Sequence, residues 1–309
     1  MKRFIIKIIW LFFPILMVAL GMEILMRNIP NDYLLKNQYL ENHSPEIETL
    51  ILGSSHSFYG FNPEYFSGKT FNASYISQPL KYDYKILEKF QGKFDNLKTI
   101  VLPISYFTLF SKLEADSEAW RVKNYIIYYK MKISSKSLSD YSEFLGNRKN
   151  VGIKRLVLYY ILGKSQVTCT ESGWVARYKS KNARNLTETG KIASIRHTKD
   201  NIYSDKYQKR YKDNIETIKN IIKWSENYNI RIMFVTPPAF ETYRKNLNAV
   251  QLNTTVKTIK EISSKSENCT YINLLDDPNF IEEDYYDADH MSEIGAKKLS
   301  MLINNKINE

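Results

Sequence analysis

The chain opens with an apolar run. Residues 4–26 are almost wholly hydrophobic, broken by Lys7, Pro14 and Glu23. With both ends included, the run approaches the ~20 residues that a bilayer core requires, and Lys7 can snorkel to the headgroups. No small-x-small cleavage site follows, so an uncleaved anchor over 1–27 is expected. Residues 28–46 are polar, with Pro30 and Pro45, and read as a linker. Apolar runs without alternation then predict buried strands over 47–52, 69–73, 97–104, 230–235 and 271–275. Between them, helical spacing predicts helices over 80–94, 211–228 and 250–266. A last helix over 293–307 is capped by Ser292, with Glu293 in its first turn. Strands alternating with helices imply an α/β fold with a parallel sheet covered on both faces.

Residues 111–210 interrupt this order. Strand signals are poor there, and only 125–129 and 156–162 suggest helical pieces. The stretch holds 21 Lys/Arg against nine Asp/Glu, a net of +12, while the rest of the chain holds 23 against 24. The formal excess of +11 therefore lies in this segment. It reads as a basic insertion or cap on the core domain, 47–309. Lys2, Arg3 and Lys7 precede the apolar run, while Arg27 alone follows closely. That bias predicts a cytoplasmic N-terminus and an extracytoplasmic domain. Nucleic acid is then not an expected partner, and the basic face suits anionic headgroups or an anionic glycan. Cys169 and Cys269 are the only cysteines, and an oxidising compartment permits their pairing. The four histidines, His43, His56, His197 and His290, show no metal-ligand spacing, so no metal is expected. No Gly-rich phosphate loop is present, and no cofactor is expected.

Two short contexts carry chemistry. Leu50-Ile51-Leu52-Gly53-Ser54-Ser55-His56-Ser57 is a buried strand running into a tight turn. Asp287-Ala288-Asp289-His290 precedes the last helix. A serine hydroxyl is a weak nucleophile that needs a base, and the base needs an orienter. Ser55 at a strand's C-terminal end, with His290 as base and Asp287 reaching its Nδ1, makes a Ser-His-Asp triad. Asp289 is a weaker candidate for the acid. His56 follows Ser55 directly, and adjacent side chains diverge, so a structural or substrate-facing role is expected for it.

Together these contexts resemble the SGNH/GDSL hydrolase family, over roughly residues 45–110 and 225–305. Gly53-Ser54-Ser55 stands where the family has Gly-Asp-Ser, and Asp287 and His290 match its Asp-x-x-His. The resemblance is nearest to membrane-anchored envelope members carrying Gly-Ser-Ser, such as the D-alanine transfer protein of teichoic-acid synthesis. It implies a flavodoxin-like three-layer sandwich with the site at the C-terminal edge of the strands. It also implies an oxyanion hole formed by the Ser55 N–H and by Ser74 or Ser77. The family's third donor, an Asn in Gly-x-Asn-Asp, is replaced by Pro103-Ile104-Ser105-Tyr106, leaving Ser105 as a substitute.

The function so implied is an extracytoplasmic serine acyltransferase moving an acyl group, such as acetyl, to a cell-envelope polysaccharide or lipid-linked saccharide. A multi-span membrane acyltransferase would supply the acyl group. The alternatives are a carbohydrate esterase or deacetylase of the same fold, and a catalytically silent glycan-binding assembly protein. His56, Trp174 and Arg177 are expected at the acceptor site, Trp174 because an aromatic face stacks on a sugar ring.

Overall fold

A computed structural model describes residues 1–133, 135, 137–146 and 151–309. The chain divides into two compact units, Met1–Gln38 with Ser117–Val167, and Tyr39–Asp116 with Thr168–Glu309. The basic stretch is thus not one body. Most of its first half joins the unit of the apolar helix, and its second half joins the sheet.

In the first unit, α1 is Lys2–Arg27. Its segment Ile6–Arg27 is long and apolar enough to cross a membrane, and Trp10, Leu11, Leu16 and Val18 are exposed along it. The expected linker is instead largely helical, as α2, Asp32–His43. The Asn31 side chain accepts a hydrogen bond from the Leu34 N–H at 3.1 Å, which starts that helix. Tyr33 is buried and packs edge-on against Tyr125, at 5.2 Å between centroids. Three short helices follow in this unit, α5 (Val122–Ile127), α6 (Glu143–Gly146) and α7 (Val151–Leu156). A π-helical turn, Val157–Ile161, extends α7. Buried Glu143 ties the three together, pairing with Lys123 at 2.9 Å and Arg155 at 2.6 Å.

The second unit carries a five-stranded sheet of β1 (Thr49–Ile51), β2 (Thr70–Asn72), β3 (Thr99–Pro103), β4 (Arg231–Thr236) and β5 (Cys269–Asn273). All pairs are parallel and the order is β2-β1-β3-β4-β5. Its helices are α3 (Ser55–Gly60), α4 (Leu80–Lys89), α8 (Leu186–His197), α9 (Asp205–Asn227), α10 (Glu241–Arg244), α11 (Ala249–Ser263) and α12 (Glu293–Asn308). A two-stranded antiparallel pair, β6 (Tyr285–Asp287) and β7 (His290–Met291), precedes α12.

Each expected strand is present within a residue or two. Alternation sends Ile51, Val101, Met233 and Val235 into one core with Ala296, Leu299 and Ile303 of α12. Leu50, Ile100, Leu102, Ile232 and Phe234 are equally buried on the other side. The helix expected over 80–94 stops at Lys89, and Gly92 beyond it has a φ of +78°. Neighbours lie on both sides of β1, so the strand order reverses beside it. Such a reversal opens a crevice at the strands' C-terminal ends. Ser55 lies there. Cys169 and Cys269 are separate thiols.

Candidate active site

The turn after β1 is built around a glycine. Gly53 has a φ of +106°, and a Cβ there would lie 2.6 Å from Ser57 Oγ. Its N–H donates to Asp83 Oδ1 at 2.8 Å, and Gln78 Nε2 donates to the same oxygen at 2.6 Å. Burial pushes the Asp83 carboxyl up to about 7, against the lowering effect of those two bonds. Asp83 shares a face of α4 with Leu80 and Leu87, all buried. It is a polar group inserted in an apolar stripe to hold the turn. Gly53→Ala should therefore destabilise the protein by about 1–3 kcal/mol through backbone strain alone. Denaturant unfolding checks this, and a variant as stable as the parent would show that the turn relaxes.

The turn places Ser55 at the first position of α3, partly exposed. Its Oγ lies 2.9 Å from His290 Nε2. His290 Nδ1 lies 2.9 Å from Asp287 Oδ1. The acid and base face each other because Asp287 and His290 are paired across β6 and β7. The Asp289 N–H donates to Asp287 Oδ1 at 3.2 Å, which fixes the carboxylate. Ser292 Oγ accepts from the Gly295 N–H, capping α12 just beyond the base.

Asp289 is a hub that sequence spacing did not reveal. It is buried, with Oδ1 3.5 Å from His290 Nδ1 and Oδ2 3.4 Å from His56 Nε2. Oδ2 also lies 3.3 Å from the Arg196 guanidinium and 3.7 Å from His197 Nδ1. The last two residues end α8, which lies close to α10 because Gly190 leaves no room for a Cβ beside Thr242. Burial alone would raise the Asp289 carboxyl, but His290, His56 and His197 hold it well below the usual range. For His290, burial opposes protonation, and the Asp289 and Asp287 carboxylates outweigh it, so its pKa is raised. Burial lowers the pKa of both His56 and His197 despite Asp289.

The donors of His56, Asp289 and His290 lie within 4.8 Å of one another, close enough for metal ligands. The fixed charge of Arg196 beside Asp289, and the bonds these groups already make, fit a proton network better.

The structure disperses several expected contributors. Ser74 is buried, and both its N–H and its hydroxyl donate to Asn72 Oδ1, so neither is free to meet an oxyanion. Asn72 in turn donates to the Ser57 and Phe61 carbonyls, tying β2 to α3. Ser77 has a φ of +59° and only partial exposure. Ser105 Oγ lies 2.6 Å from His56 Nδ1. With Asp289 favouring a proton on His56 Nε2, Ser105 donates to Nδ1 and has no second proton for an oxyanion. His56 is thus held between Ser105 and Asp289. In the first turn of α3 the Ser57 N–H donates to the Ser54 carbonyl at 3.0 Å, and the N–H groups of Ser55 and His56, which precede the helical ladder, remain the donors in place. Trp174 is no acceptor platform. Its indole is buried in the main core and donates to the Tyr59 carbonyl at 3.0 Å. Arg177 is exposed, one residue before Tyr178.

An aromatic stack unseen in the sequence adjoins the base. Tyr59 stacks on Tyr178 at 3.7 Å, and Tyr178 stacks on Tyr286 at 3.9 Å. Tyr59 and Tyr178 each meet the His290 ring edge-on at 5.7 Å. Arg184 lies over Tyr286. These rings come from three separate segments, so no local pattern announces them.

Residues 181–303 match a family described as "Protein of unknown function (DUF1574)". The match covers Asp287, Asp289 and His290 but not Ser55. A search of the curated proteins found no match. Among solved structures, the chain is similar to a proposed platelet activating factor from Streptococcus pneumonia, at 11% identity and a TM-score of 0.46, over 96% of this chain and 98% of that one. It is also similar to a proposed acylhydrolase from Bacteroides fragilis, at 8% identity and a TM-score of 0.38, over 88% and 96%.

Proposed function

We propose that this chain is a membrane-anchored serine enzyme of SGNH type that forms an acyl-Ser55 ester and passes the acyl group to a hydroxyl of an envelope glycan. The observation that carries this reading is the Ser55–His290–Asp287 array, with both links at 2.9 Å. The strand order, which is that of flavodoxin-like sheets, agrees with it. Charge bias around α1 favours an extracytoplasmic domain.

In the first half-reaction, Ser55 Oγ attacks the donor's carbonyl carbon and gives its proton to His290 Nε2. Asp287 and Asp289 stabilise the imidazolium, and the α3 N–H groups meet the oxyanion. Collapse expels the donor's leaving group, which takes the proton from His290. In the second, an acceptor hydroxyl gives its proton to His290 and attacks the Ser55 ester. Ser55 leaves and recovers the proton. The Tyr59–Tyr178–Tyr286 stack, with Arg184 at its Tyr286 end, offers a sugar an aromatic and cationic wall near the base. Water in place of the sugar makes the same enzyme an esterase.

The test is the ester content of envelope glycans in cells lacking the protein and in cells carrying Ser55→Ala. Ester loss in both supports transfer, and ester gain in both supports hydrolysis. Full ester content with Ser55→Ala, but not without the protein, would leave a non-catalytic assembly role.

A further inference from the structure

We infer that residues 141–146 and 151–162 form a second membrane-contacting element, lying in the headgroup region of the bilayer that α1 enters. The inference uses the reading of α1 as a membrane span and is independent of the enzyme chemistry.

Depth comes first. Counting at about 1.5 Å per residue, Ile8 to Arg27 extends roughly 30 Å, the thickness of a hydrocarbon core. With Lys7 at one headgroup layer, the last turn of α1 reaches the other. That turn is where the element is fastened. The Glu23 carboxylate accepts from Ser142 Oγ at 2.7 Å and from the N–H groups of Glu143 and Phe144 at 3.0 and 2.8 Å. Arg27, paired with Glu23, donates to the Tyr141 carbonyl at 2.6 Å. The Tyr160 hydroxyl donates to the Leu25 carbonyl at 3.0 Å. Residues 141–144 and Tyr160 are therefore held at the depth of Glu23–Arg27. A tyrosine bonded there is itself typical of an interfacial belt.

The surface has the composition of an interfacial element. Phe144, Leu145, Ile153, Val157, Ile161 and Leu162 are exposed, Ile161 by 73%. The interior of their unit is built instead on buried Tyr33, Tyr125 and Tyr129 and on the Glu143 ion pairs, and these side chains lie outside it. The charge suits anionic lipid. Residues 117–167 hold ten Lys/Arg against three Asp/Glu, and Lys130, Lys132, Lys154 and Lys164 are exposed. Apolar side chains beside lysines, at the mouth of a span, fit the water–lipid boundary.

The test uses the full-length chain in vesicles of phosphatidylglycerol and phosphatidylcholine. Single cysteines replace Ile153 or Ile161, with Leu16 in α1 and exposed Tyr203 as references, in a Cys169→Ser, Cys269→Ala background. Each carries a nitroxide label. The labels at 153 and 161 should collide with oxygen several-fold more often than with a water-soluble nickel chelate, as at 16, and 203 should show the reverse. Nickel accessibility at 153 and 161 with oxygen preference at 16 overturns the inference and spares the anchor. Nickel accessibility at 16 as well means that the anchor reading itself fails. Spin–spin coupling between labels at 161 would assign the face to a second copy and also overturn it. Should the cysteine-free chain fail to fold, a photoreactive benzoylphenylalanine at 161 of the natural chain replaces the label. Lipid adducts then support the inference, and their absence overturns it.

Discussion

Ser55→Ala should lower turnover of a small activated ester by roughly 10⁴-fold or more, the scale on which removing a triad nucleophile acts. In the proposed mechanism the hydroxyl is the atom that forms the acyl bond, so no neighbour replaces it by proximity alone. Ser57 and Ser105 lie close in sequence or in space, but Ser57 is fully buried and Ser105 is bonded to His56. Stability should change by no more than about 0.5 kcal/mol, because Ser55 is partly exposed and alanine suits a first helical turn. A fluorophosphonate should add once to the natural chain, with the adduct on Ser55 by peptide mass, and not at all to the variant. Labelling of the variant at another serine, with turnover intact, would remove Ser55 from the mechanism.

The sheet was readable in the chain because its strands are unbroken apolar runs buried on both faces. The proximity of Ser55, Asp287 and His290 was legible through two short motifs at strand ends and their family resemblance. The supports were not. Asp83, Asn72 and Asp289 act through partners 30, 11 and 233 residues away, and polar groups satisfied by tertiary contact leave no periodic trace. Tyr59, Tyr178 and Tyr286 are three among 23 tyrosines, and only the fold selects them. Trp174 shows the converse. A Gly-Trp pair in a basic stretch resembles a sugar site, yet Gly173 has a φ of +87° with its Cα against the Asn72 carbonyl, and the indole turns into the core. Residues 28–46 looked like linker because α2 is mostly polar, and Asp32, Lys36 and Asn37 are buried beside Tyr33 and Leu40.

Asp287→Asn and Asp289→Asn should both impair the enzyme, but with different dependence on pH. Asp287 makes the short bond to His290 Nδ1 and sets the tautomer. An asparagine amide that donates to Nδ1 would leave the proton on Nε2, facing Ser55, where no base is then available. A loss of about 10³–10⁴-fold on the high-pH plateau is expected, as for other triads deprived of their acid. Asp289 acts differently. It is the leading charge that raises His290, and the base must be neutral to accept the serine proton. In the parent enzyme the acid limb of kcat/KM should thus lie above the ordinary histidine value of about 6.5. Removing the Asp289 charge favours neutral imidazole, so that limb should move towards lower pH. The imidazolium formed in the transition state also loses a counter-charge, so the high-pH plateau should fall. The ratio of parent to Asp289→Asn activity should therefore grow as pH rises. A purely structural role for Asp289 would lower activity without moving the limb. A limb displaced by Asp287→Asn and unmoved by Asp289→Asn would exchange the roles of the two carboxylates.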